Sequence, residues 1–128
     1  MLLTREQILQ APDIQSETVE VPEWGGSVIV HGLTGDGRNK FEESIYAGGK
    51  KVVWDNIMAR LVSLCAVDGS GKLIFNGDGD VTALGAKSAV ALARVYSVAQ
   101  RLSGLAAENL EAAVKNSGAA PSEGSISD

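Results

Sequence analysis

Side chains that titrate near neutrality or attack electrophiles are scarce in this chain, which holds one histidine, His31, and one cysteine, Cys65. His31 falls in an alternating run, Ser27 to His31, and reads as a structural strand residue rather than a general base. A lone His and a lone Cys, distant in sequence, do not supply the several soft ligands at fixed spacing that zinc requires. Asn76, Asp78 and Asp80 place oxygen donors at alternate positions, as a calcium loop does at its start. That pattern then needs Gly at its sixth position and Glu at its twelfth, where Val81 and Lys87 stand. Gly69-Ser70-Gly71-Lys72 resembles the end of a phosphate loop, but Leu73 replaces the hydroxyl residue and Ala66 the first glycine. Gly35-Asp36-Gly37 and Gly77-Asp78-Gly79 lack the third glycine of a dinucleotide fingerprint and read as turns. The acidic pairs Glu42-Glu43 and Glu108 with Glu111 read as solvated helix faces. The expectation is a protein that is not an enzyme, with no metal site and no cofactor.

The elements that would position any contact residues follow from periodicity. Thr4 and Gln7 form the pattern of a capping box, with Leu3 and Ile8 as a hydrophobic staple, and Pro12 stops this first helix near Ala11. From Glu17 the period changes to two. Val19 and Val21 alternate with polar residues, and Pro22-Glu23-Trp24-Gly25-Gly26 connects them to Ser27–His31 in a β-hairpin. Thr34 or Asp36 caps a helix that carries Phe41 and Ile45 inward and ends at Gly48-Gly49.

Trp54, Ile57, Leu61, Leu64 and Cys65 form the stripe of a further helix, which runs to about Leu64. Beyond it, Asp68 to Lys72 reads as a hairpin-like turn, with helix plus loop or hairpin both open for Leu61–Phe75. Asn76 to Asp80 reads as a loop, with Asp80 capping a helical turn through Leu84 and Gly85 as a break. The longest helix is expected from about Ala86 to Ser103, with Leu92, Val95, Tyr96, Ala99 and Leu102 as its apolar stripe and Arg94 and Arg101 on another face. Ala106 to Lys115 reads as a weak helix and Asn116 to Asp128 as a disordered tail. The fold class is α+β, a mainly helical small domain spanning 1–105 with an N-terminal hairpin and a flexible C-terminal end.

Length and composition set the outer bounds. The 128 residues suit one domain, with 45% hydrophobic and 21% charged residues. No apolar run approaches the roughly 20 residues of a membrane helix. A net charge of −5 without a basic cluster disfavours nucleic acid as a partner. Single-cysteine usage and the absence of a signal-peptide pattern point to a reducing cytoplasm.

Leu3-Thr4-Arg5-Glu6-Gln7-Ile8-Leu9, Val19-Glu20-Val21-Pro22-Glu23-Trp24-Gly25-Gly26, and Gly32-Leu33-Thr34-Gly35 with Arg38 and Phe41-Glu42 occur in that order. Arg60-Leu61-Val62, Asp68, Gly71, Phe75, Leu84-Gly85-Ala86-Lys87-Ser88, Arg94 and Leu102-Ser103-Gly104-Leu105 follow. Together these segments, covering about residues 2 to 105, resemble the tail assembly chaperones of long-tailed bacteriophages. Gly37 departs from the pattern, standing where a capping residue such as Glu is expected.

The resemblance implies a small α+β protein that works in the host cytoplasm during virion morphogenesis, for an infecting phage or a prophage, and is absent from the mature particle. Its client would be the tape-measure protein, kept soluble by covering its apolar stripes, with tail tube subunits recruited through a frameshift-extended product. Val114-Lys115-Asn116 is a candidate site for that frameshift. Contact residues are sought on Trp24, Trp54, Ile57, Met58, Leu61, Leu92 and Tyr96, where the competing reading is that helical stripes form the protein's own core. Self-association is a further expectation. The alternative function is a small structural head-tail or tail-tube component of the virion.

Overall fold

A computed structural model describes residues 1–46 and 55–105. The first helix, α1, spans Arg5–Gln10. Its capping box forms as the sequence requires, the Gln7 N–H donating to Thr4 Oγ1 (3.2 Å) and the Thr4 N–H to Gln7 Oε1 (2.9 Å). Yet α1 buries none of its residues, and Leu3 and Ile8, the expected staple, are both exposed. The hairpin follows as β1 (Ser16–Val21) and β2 (Gly26–His31), paired antiparallel from Ser16↔His31 to Val21↔Gly26. Its connection is a 3₁₀ turn, Pro22–Trp24, closed by Gly25 in the left-handed region at φ +78°. A proline fixes the turn's first φ and a glycine supplies the positive one, which is the chemistry such a reversal needs.

Helix α2 spans Gly35–Ile45. Thr34 is its cap, Thr34 Oγ1 accepting from the Gly37 N–H at 2.9 Å, so Gly37 does not prevent the start. Phe41 and Ile45 are buried as expected, but the helix stops at Ile45, three residues ahead of Gly48. Helix α3 spans Ile57–Ser63 and passes into a two-residue strand, β3 (Ala66–Val67), antiparallel to β2. The sheet order is β1-β2-β3. Asp68 organises the turn that follows, its Oδ1 accepting from the Ser70 and Lys72 N–H groups and the Ser70 hydroxyl. Val67 then bridges to Leu73, so Leu61–Phe75 is the end of a helix and a minimal hairpin.

The expected loop at Asn76–Asp80 is instead the start of α4, Gly77–Gly85. Asp80 Oδ2 takes the Asn76 N–H at 2.7 Å, and Asp78 and Asp80 in the first turn face the positive end of the helix dipole. These carboxylates therefore serve the helix start instead of converging as a loop's ligands would. Helix α5 spans Ala89–Leu102, three residues shorter at its start than expected, because Ser88 caps it by accepting from the Ala91 N–H. Its end is a Schellman motif, with the Leu105 N–H on Gln100 O (2.8 Å), the Gly104 N–H on Arg101 O (3.2 Å) and Gly104 at φ +72°.

The core lies between one face of the hairpin and the helices, with α5 packed on β1, β2 and α3, and α4 on α3. Val19, Val21 and Val30 meet Leu61, Val62, Leu92, Val95 and Ala99 there. The fold is α+β, mainly helical with the hairpin near its N-terminus. Trp54, the expected helix over Ala106–Lys115 and the tail Asn116–Asp128 lie outside the described residues.

Candidate interaction surface

Two arginines fasten the hairpin to α5. Arg94 meets Glu23 through both guanidinium nitrogens, Nη2 to Oε2 at 3.1 Å, and Arg101 Nη2 meets Glu17 Oε1 at 2.9 Å. Their seven-residue spacing puts them about 11 Å apart along one face of α5, from which their long side chains reach carboxylates near either end of β1. The Arg94 guanidinium holds the Glu23 carboxyl below the usual range, and the Glu23 carboxylate raises Arg94 in turn.

With the turn held there, half-buried Trp24 forms one wall of an apolar groove of about 200 Å³, completed by Phe75, Ala83, Leu84 and Lys87. Its indole Nε1 is buried without a hydrogen-bond partner. The other walls come from Phe75, in the segment after the Asp68 turn, and from the end of α4 with Lys87 beyond it, so the groove joins the hairpin turn to a stretch about fifty residues later in the chain. Sequence reasoning found Trp24 and missed the rest, because the glycines of Asn76–Asp80 hid α4.

The expected contact residues separate. Leu61 and Leu92 are buried in the core and offer no contact area, which corrects their selection: the three-and-four spacing that marked them is the helix face turned inward. Ile57 and Met58, in the first turn of α3, are half-buried against that core, as is Tyr96. Burial raises the Tyr96 phenol above its ordinary value, and its oxygen accepts from Gln100 Nε2 at 3.4 Å.

A second cavity of about 450 Å³ is lined by Lys40, Ser44, Asn56, Arg60, Asp78 and Thr82 together with Leu64 and Val81. Arg60 Nη1 donates to the Ser44 carbonyl, so this guanidinium caps the end of α2.

His31 and Cys65, distant in sequence, are neighbours across the sheet, the His31 N–H donating to Cys65 O at 2.8 Å. The contact is through backbone. Cys65 is fully buried, and burial pushes its thiol up to about 11, so it stays protonated and weakly nucleophilic at neutral pH. His31 Nδ1 is buried with no partner.

Most of the exposed large apolar residues lie on the arm that precedes β1, Leu2, Leu3, Ile8, Leu9 and Ile14 among them, while Leu73, Ile74 and Val90 are exposed elsewhere. The capping box was legible in the sequence, but not that the helix it starts lies off the core. No helix among the described residues is long and apolar enough to cross a membrane. Compared with known proteins, the chain matches no family model, no curated protein and no solved structure.

Proposed function

We propose that this chain is a phage tail assembly chaperone that binds the tape-measure protein, keeps it soluble and helps recruit tail tube subunits while the tail is built. The observation that carries the reading is the ordered series of segments resembling that family, running from Leu3 to Leu105. The positions of those residues in the fold support it. Thr4 and Thr34 cap helices, Arg94 holds the hairpin turn, and Asp68 organises its own turn. Ser103 Oγ takes the Leu33 N–H at 2.9 Å, and Gly104 and Leu105 close α5. The segments that carry the resemblance thus supply joints that shape a scaffold, and a scaffold acts through its surface.

The contact area under this reading is Trp24 with its groove, together with the half-buried Ile57, Met58 and Tyr96. Aromatic and methionine side chains adapt to a long helical client whose apolar stripes repeat with variation. No reaction is required. Covering an apolar stripe until the tail tube closes prevents aggregation by occupying the surface that would otherwise self-associate.

The test is co-expression with the long helical protein encoded downstream in the gene cluster. The expected outcome is a higher soluble yield of that protein and co-purification with this chain. An insoluble client and no co-purification, repeated with any frameshift-extended product, would overturn the proposal. Detection of the chain in many copies in purified particles would favour the structural-component reading.

A further inference from the structure

We infer that the cavity between α2, α3 and α4 is a binding site for a small hydroxylated organic phosphate, with the size and chemistry of a sugar phosphate. This inference concerns the chain alone and does not rest on the chaperone reading.

Three helices each present one face to this space. Lys40 and Ser44 lie one turn apart on α2, Asn56 and Arg60 one turn apart at the start of α3, and Asp78 and Thr82 one turn apart on α4. The volume, about 450 Å³, falls within the roughly 300–1,000 Å³ of small-molecule sites.

Charge defines one end of the ligand. Arg5, Arg38, Arg94 and Arg101 each pair with a glutamate. Lys40 and Arg60 pair with no carboxylate among the described residues, although the chain carries a net charge of −5. Lys40 has Asp36 four residues before it and Glu43 three after, both at pairing positions along a helix, and it lines the cavity instead. Arg60 spends one N–H on the Ser44 carbonyl and keeps the rest of a five-donor fork. Asp78 pairs with neither cation, and its carboxylate belongs to the first turn of α4, where the helix dipole stabilises it. Two uncompensated cations, on α2 and α3, match the charge of a phosphate monoester, about −1.5 to −2 at neutral pH.

Hydrogen-bond direction defines the other end. The Ser44 hydroxyl donates to Phe41 O (2.7 Å), the Ser63 hydroxyl to Arg60 O (2.8 Å) and the Thr82 hydroxyl to Asp78 O (3.1 Å). Each proton is thus spent within its own helix, and each of these hydroxyl oxygens offers only lone pairs to the cavity. With the Asp78 carboxylate beside Thr82, the α4 wall accepts and does not donate. A group that binds there must itself carry donors, as the hydroxyls of a sugar do. A bare inorganic anion would satisfy Lys40 and Arg60 and leave the acceptors on α4 unused. Leu64 and Val81 supply apolar wall for the carbon frame between the two ends.

The test is titration of the full chain, followed by two-dimensional amide NMR at low ionic strength, with ribose 5-phosphate, inorganic phosphate and ribose as separate probes. The expected result is saturable binding of ribose 5-phosphate with a Kd on the order of 1 mM, its shifts concentrated on α2, α3 and α4. Inorganic phosphate should bind about tenfold more weakly and ribose not measurably, since each makes only part of the contacts. Lys40→Met, at an exposed position that leaves the fold intact, should weaken ribose 5-phosphate about tenfold. Thr82→Val should weaken it severalfold and leave inorganic phosphate unchanged, a split that general electrostatic attraction does not produce. Lys72→Met, which removes an exposed cation outside the cavity, should change neither. Absence of saturable shifts up to about 20 mM, binding indifferent to Lys40→Met, or inorganic phosphate binding as tightly as the sugar phosphate would each overturn the inference. Every one of these results leaves the client-binding experiment free to succeed or fail separately.

Discussion

Replacing Gly32 by Ala would place a Cβ 2.5 Å from the carbonyl oxygen of Leu102 and 3.1 Å from its carbonyl carbon. Both obstructing atoms are backbone, at the end of α5, so no rotamer change relieves the contact. Restoring an ordinary separation moves the strand end and the helix end apart by about 1 Å. That movement acts on the Leu33 N–H to Ser103 Oγ bond, now 2.9 Å, and on the Gly32 N–H to Gln15 O bond, also 2.9 Å.

Overpacking of this kind costs about 1–3 kcal/mol. A weakened hydrogen bond adds about 1 kcal/mol, and the stiffer unfolded chain offsets about 0.4–1 kcal/mol. The net expectation is a loss of roughly 1.5–3 kcal/mol. With a urea slope of about 1–3 kcal/mol/M, the midpoint should fall by about 0.5–3 M, and Tm by roughly 5–15 °C. Equilibrium urea unfolding followed by circular dichroism reads this directly. Gly35→Ala, at the first position of α2 with nothing within 4 Å of the added methyl, is the control and should be neutral or slightly stabilising. A Gly32→Ala midpoint within about 0.3 M of the parent would refute the close-approach argument.

Trp24→Ala should cost about 2–4 kcal/mol, as a large packed side chain is removed, whereas Trp24→Phe should cost under about 1 kcal/mol because it also deletes a buried N–H without a partner; thermal unfolding of both variants tests the difference. Cys65 should resist a thiol reagent at pH 8 in the folded protein and react on urea unfolding, its thiol being buried and pushed up to about 11; reaction at the rate of a free thiol under native conditions would contradict this. Glu23 and Asp68 have folded-state values below the ordinary carboxylate range, Glu23 through Arg94 and Asp68 through Ser70 and Lys72. Their contribution is therefore complete above about pH 4.5 and is lost as pH falls through the lowered values. Arg94→Gln and Asp68→Asn should each destabilise at pH 7 and converge with the parent near pH 2, and a pH-independent difference in urea midpoint would count against these pairings. Thr34→Ala should cost about 1 kcal/mol by urea unfolding, through loss of the α2 cap on the Gly37 N–H.

Local chemistry was readable wherever one short segment decides the outcome. The capping box of Thr4 and Gln7 and the hairpin around Pro22–Gly25 involve residues within a turn of each other, and both form as their types require. The Gly104 stop was equally legible, because a left-handed C′ residue ends a helix regardless of what packs on it. Helix α4 was not. Gly77 and Gly79 lower its intrinsic propensity by roughly 1 kcal/mol each, and its stability comes instead from burying Leu84 and packing Val81 against the core. The packing of Gly85 next to Asn56 depends on α3 as well, since a Cβ there would meet Asn56 Oδ1 at 2.4 Å. For the same reason the groove was out of reach: Trp24, Phe75 and Ala83–Lys87 share no periodicity, and only tertiary packing brings them together.

The stripe on α3 and α5 shows where periodicity stops informing function. A helical period identifies which residues face one direction, and in a small domain that direction is first the protein's own core. Leu61, Leu92, Val95 and Ala99 satisfy that demand, and Ile57, Met58 and Tyr96 at its margins are the ones left with area to share. Surface available for partners therefore lies where a local pattern is complete but its burial is not. The arm meets that condition in full, being a capped helix whose apolar side chains touch little of its own fold. The Trp24 groove meets it from the other side, as an apolar hollow fixed in place by Arg94 through Glu23. Because Arg101 holds the opposite end of β1 through Glu17, the distance between arm root and groove is set by the strand itself.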